Sequence, residues 1–66
     1  MTPDDVKKRV DEIRQSSDDD ACAHSMEDCL YTDILLAIRD GTIVDAVRCC
    51  EEALKAQDIE FARWCA

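Results

Sequence analysis

Ala23-His24-Ser25-Met26-Glu27-Asp28-Cys29-Leu30-Tyr31-Thr32-Asp33-Ile34-Leu35-Leu36-Ala37-Ile38-Arg39-Asp40-Gly41 is the stretch that decides the fold. Ala23, Met26, Leu30, Ile34, Leu35 and Ile38, with Tyr31, recur at the spacing of one broad helical face, and Ser25, Asp28, Thr32, Asp33 and Arg39 fall opposite. Leu36 and Cys29 lie within the polar side, either simply exposed or as a second contact patch. Asp40-Gly41 ends the helix, because glycine adopts the left-handed conformation that closes a helix without a Cβ clash. Upstream, Gln15-Ser16-Ser17-Asp18-Asp19-Asp20 reads as a connection whose Ser and Asp side chains bond local backbone, with Ser17 or Asp18 as the cap.

Working outward, Thr2 caps a first helix, Pro3 sits where a missing N–H is harmless, and Asp4 and Asp5 suit the positive end of the dipole. Val6, Val10 and Ile13 form its narrow apolar stripe, with Asp4–Lys8, Asp5–Arg9 and Lys8–Glu12 as pairs on the wet side. Beyond Gly41, Thr42 caps a third helix with Asp45 as a partial capping-box acid. Ile43, Val47, Cys50 and Leu54 make its stripe, flanked by Ala46 and Ala53, and Arg48–Glu52 and Glu51–Lys55 support its polar face. Asp58 marks a break before Ile59–Ala66, read as a short helical turn folded back on the rest. The expectation is all-α, a compact bundle of three helices (3–15, 19–39 and 43–57) with a short C-terminal helical turn, in a single domain over 1–66. Short links make consecutive helices antiparallel. The predicted core is Val6, Val10, Ile13, Met26, Leu30, Ile34, Leu35, Ile38, Ile43, Val47, Cys50 and Leu54.

Sixty-six residues support one domain with a thin core, of the size that rarely supplies more than roughly 3–5 kcal/mol. Four short elements scarcely enclose a catalytic pocket, so the size argues for binding and against an enzyme. Sixteen acids against eight bases leave a net charge of −8. That field repels DNA, RNA and anionic membranes and draws the chain toward basic surfaces. No run approaches the roughly 18 apolar residues of a membrane span, and the polar start lacks a secretory h-region. A cytoplasmic location is expected, with all five cysteines as free thiols.

The motifs are weak. Cys22, His24 and Cys29 cluster in sequence, with Cys49-Cys50 further on. Cys22-x-His24 diverges by about 200° on a helix, which makes a poor chelate. The vicinal pair lacks redox spacing; Cys50 is read as core and Cys49 as its edge. His24 between Asp20 and Asp28 lacks a positioned nucleophile and an oxyanion site. Asp18-Asp19-Asp20 with Glu27 or Asp28 does not match the register of a calcium loop. No metal, no cofactor and no catalytic residue is expected.

Charge is sharper than any motif. From Gln15 to Ile38 there is no Lys or Arg, while Asp18, Asp19, Asp20, Glu27, Asp28 and Asp33 all fall there. The residues before Gln15 balance, so three quarters of the net charge sits on one connection and one helix. Such an acidic stripe suits a site built for nucleic-acid phosphate, and these six residues are the candidate partner-binding set. Phe61 and Trp64 are secondary candidates, as anchors for a partner or as ordinary core.

In size, in Asp18-Asp19-Asp20 and in its acidic helix, the chain resembles the small inhibitors encoded by bacteriophages and mobile elements, anti-CRISPR proteins among them. The resemblance implies a phage protein in the bacterial host cytoplasm, acting as a nucleic-acid mimic on a CRISPR complex where DNA or guide RNA would pass. It transfers no individual residue. The expected function is therefore a non-enzymatic inhibitor that presents its acidic surface to a basic, nucleic-acid-handling partner. The chain would be a monomer or homodimer, without direct nucleic-acid or membrane contact. The alternatives are a small structural or assembly protein dimerising through Leu36, Cys29 and the tail, and a zinc-stapled regulatory domain.

Overall fold

The computed structural model describes residues 1–63. It contains α1 (Pro3–Gln15), α2 (Asp20–Asp40) and α3 (Ala46–Leu54), the last running straight into a 3₁₀ turn at Lys55–Asp58. The expected all-helical bundle is therefore present, with no strand among the described residues. Ile59–Arg63 is not helical, and the 3₁₀ turn at Lys55–Asp58 is the end of the expected third helix; the rest of the expected C-terminal turn, 64–66, lies outside the described residues. Trp64 lies outside the described residues.

The α1 start follows its signals. Thr2 Oγ accepts from the Asp5 N–H at 3.2 Å, and the Asp5 carboxylate accepts from the Thr2 N–H at 2.9 Å. These reciprocal bonds hold the Asp5 carboxyl below its ordinary range. Ser16 and Ser17 finish α1 rather than start α2: the Ser16 N–H bonds Glu12 and Ile13 carbonyls, and Ser17 Oγ donates to the Arg14 carbonyl at 2.8 Å. The cap of α2 therefore falls to Asp19, whose carboxylate accepts from the Cys22 N–H at 3.1 Å.

The α3 start moved, for an identifiable reason. Gly41 closes α2 at φ 71, with its N–H on the Ile38 carbonyl and the Thr42 N–H on Ala37. The Met1 ammonium then donates to the Thr42 carbonyl at 2.8 Å, and the Val44 N–H to the Met1 carbonyl at 2.8 Å. With its backbone spent on these contacts, Thr42–Val44 cannot begin a helix. Asp45 takes the cap instead, accepting from the Arg48 N–H at 3.3 Å in a left-handed conformation (φ 55) that a non-glycine residue rarely adopts.

The start shift accompanies a change of face. Cys49, Ala53 and Ala56 are buried, Cys50 is half-buried, and Val47 and Leu54 are 72% and 55% exposed. The expected roles of the two cysteines are thus reversed. Small side chains let α3 lie close against the β-branched stripe Val6, Val10 and Ile13 of α1, all three buried. On α2 the buried stripe is Ala23, Glu27, Leu30, Ile34 and Ala37, while Leu35 is 68% and Ile38 45% exposed. Met26 and Ile43 only flank the core, and Ile59 joins it from beyond the 3₁₀ turn. The molecule measures 33 × 20 × 13 Å across its Cα atoms. That short axis spans two helix layers, since one helix's Cα cylinder is about 4.6 Å across.

Candidate functional site

The acidic residues that stand out in the sequence do not form one free stripe. Glu27 is 4% exposed. The phase explains this, since Glu27 stands four residues after Ala23 and three before Leu30, both buried. Arg63 meets it with two charge-assisted bonds, Nε to Oε1 at 2.9 Å and Nη2 to Oε2 at 3.2 Å. The same guanidinium donates to the Ala56 and Ile59 carbonyls at 2.9 and 3.0 Å and stacks 3.8 Å over the Phe61 ring. The carboxylate raises the Arg63 pKa further. Phe61 is half-buried against the core, an internal support and not an open anchor. Arg63, well beyond α3, thereby reaches the first half of α2, as antiparallel packing requires.

The other acids divide similarly. Asp33 pairs with Arg9 of α1 at 2.8 Å, so Arg9 does not form the expected helical pair with Asp5. Asp19 caps α2, and Asp20 accepts from the Ala62 N–H at 3.1 Å. Asp28 lies 3.5 Å from His24 Nε2, and Asp18 is exposed. The absence of bases between Gln15 and Ile38 was a fact of the sequence, but Arg9 and Arg63 arrive from either side in space. Of the expected partner-binding residues, only Asp18 and Asp28 keep carboxylates that neither Arg nor a backbone N–H holds among the described residues. Lys55 similarly pairs with Glu52 and not Glu51, and its hydrogen bond holds the Glu52 carboxyl low.

Tyr31 reports on this cluster. Its hydroxyl donates to Glu27 Oε2 at 3.2 Å. Burial, then the Glu27 charge and hydrogen bond, push the phenol up to about 12. A raised acid pKa means that the native state binds the proton more tightly than the unfolded chain. The associated stability is complete below the ordinary tyrosine value of roughly 10 and is lost as pH rises through about 12. Ultraviolet titration of this single tyrosine should therefore show a midpoint near 12 while the chain is folded, and Glu27→Gln should lower it. An unshifted midpoint near 10 in folded protein would contradict the contact.

The residues that sequence periodicity placed in the core build the more notable surface. Tyr31, Ile34, Leu35 and Ile38 of α2 face Cys50, Ala53 and Leu54 of α3 across an open groove of about 340 Å³. Its lining is almost wholly apolar, and the exposed Val47 stands one turn before Cys50 on α3. Leu36 is also exposed, on the flank of α2 that carries Cys29. The sequence did carry a signal for this: α3 has two apolar stripes, one of Cys49 and Ala53 and one of Val47, Cys50 and Leu54, and only one of them can face α1.

Cys22 and Cys29 are exposed free thiols, Cys50 is half-buried, and Cys49 is buried with its thiol donating to the Val44 carbonyl at 3.3 Å. Burial, reinforced by the Asp45 charge, pushes the Cys49 thiol up. No group of three or more His, Cys, Asp or Glu converges as a metal site among the described residues. No helix there is long and apolar enough to cross a membrane. Compared with protein-family models, curated proteins and solved structures, the chain returns no match.

Proposed function

We propose that this chain is a non-enzymatic protein-binding module that docks a partner on the α2–α3 groove while its negative field draws basic partners. The observation that carries the reading is the exposure of Leu35, Ile38 and Leu54 around a single groove. Contiguous apolar surface is costly in water, and where it persists on a small protein it commonly marks an interaction site. The net charge of −8 supplies long-range steering, which speeds encounter with a basic surface. Inhibition by masking a nucleic-acid-handling protein is the form of binding this charge favours. Asp18 and Asp28 are the acids best placed to compete with phosphate for such a partner's Lys and Arg.

The test is site-specific photo-crosslinking in the cells that express the protein. A photoreactive residue in place of Leu35 should yield a discrete protein adduct, and one in place of exposed Lys8 on α1 should not. Adducts from position 8 alone, or from neither position, would overturn the groove as the binding surface.

A further inference from the structure

The α2–α3 pair has two furrows, and the described residues fill only one. α1 occupies the first: its Arg9 and Ile13 lie beside Met26 and Cys29 of α2, and its stripe packs on Cys49 and Ala53 of α3. The opposite furrow is the apolar groove. From Tyr31 to Ile38 it spans seven residues of α2, about 10 Å, the length of two helical turns. A furrow between two helices complements the ridge of a third, whose apolar residues recur at i, i+3 or i+4, and i+7.

Charge selects among the helices that would fit. Asp28 stands three residues before Tyr31 and seven before Leu35, on the same side of α2. Glu51 stands within one turn of both Val47 and Leu54. Both are exposed, and among the described residues Glu51 makes no ion pair. Arg39, the base on this side of α2, is held by its neighbour Asp40 at 2.9 Å, and Lys55, four residues after Glu51, is held by Glu52. A second copy would bring the same two acids, and the same −8, against this rim. An amphipathic helix with Lys or Arg beside its apolar anchors would neutralise it.

We infer that the groove receives an amphipathic helix of a partner protein, basic along the edges of its apolar face, which completes a four-helix bundle with α1, α2 and α3. This inference rests on the groove being a docking site and adds the chemistry of its occupant. The opposing choices are an acidic or uncharged helix and a second copy of this chain.

The test uses the full chain and two synthetic helical peptides with leucines at i, i+3, i+4 and i+7, one flanked by lysine and the other by glutamate. In fluorescence anisotropy the lysine peptide should bind roughly tenfold or more tighter than the glutamate peptide. Its advantage should shrink in high salt, and Leu35→Asp should abolish its binding. Leu54→Asp serves as the second variant, and circular dichroism verifies that both stay folded. Equal binding of the two peptides would overturn the basic-helix inference while leaving the groove as a docking site. Sedimentation as a dimer that Leu35→Asp dissociates would replace the partner helix with a second copy. No binding of either peptide would overturn the inference too, and the crosslinking result at Leu35 would then decide separately whether the groove docks anything.

Discussion

Glu27→Lys is expected to unfold the protein near room temperature, whereas Asp28→Lys, one residue along, leaves it folded. Glu27 is buried under Arg63, with both carboxylate oxygens bonded to the guanidinium. Reversal places two cations where one ion pair stood, and removing a partner from a buried pair typically costs about 3–5 kcal/mol. That is as much as a core of this size supplies. Asp28 is exposed and meets only His24 at 3.5 Å, so its reversal should stay within about 0.5 kcal/mol. Urea unfolding followed by circular dichroism measures both. Adding Arg63→Glu to Glu27→Lys should recover part of the loss, because the pair is re-formed with opposite sense. Equal midpoints for the two single variants would mean that the tail contact contributes nothing to folding.

The second large effect compares two leucines on the same helix. Leu30→Ala should cost about 2–5 kcal/mol, because Leu30 is fully buried and its removal leaves a cavity between the helices. In a domain of this size that lowers the thermal midpoint by roughly 10 °C or more. Leu35→Ala, at a position 68% exposed, should move the midpoint by only a few degrees. The pair tests the phase of α2 directly. A larger loss at Leu35 than at Leu30 would place the helix the other way round.

By itself the sequence determined the elements and most of their ends. Thr2-Pro3-Asp4-Asp5 announced α1, and Asp40-Gly41 ended α2 in the left-handed conformation that only the glycine adopts cheaply. These signals are local: a cap or a glycine acts on backbone groups within one turn of itself. The same locality made Val6, Val10, Ile13, Leu30 and Ile34 legible as core, since their stripes are narrow or central. What the tertiary structure decided was the choice between competing faces and the partners of charges. α3 could have buried Val47, Cys50 and Leu54, yet close approach to α1 favours the smaller Cys49, Ala53 and Ala56. Its start could have been Thr42, had Met1 not taken that backbone from 41 residues away. Glu27 and Asp33 looked unopposed because Arg63 and Arg9 are distant along the chain, 36 and 24 residues off, and adjacent only once the helices pack. Helical periodicity states which residues can share a side. Only the third dimension states which side is covered, and the described residues leave the bulkier apolar stripe of α3, Val47 and Leu54, open.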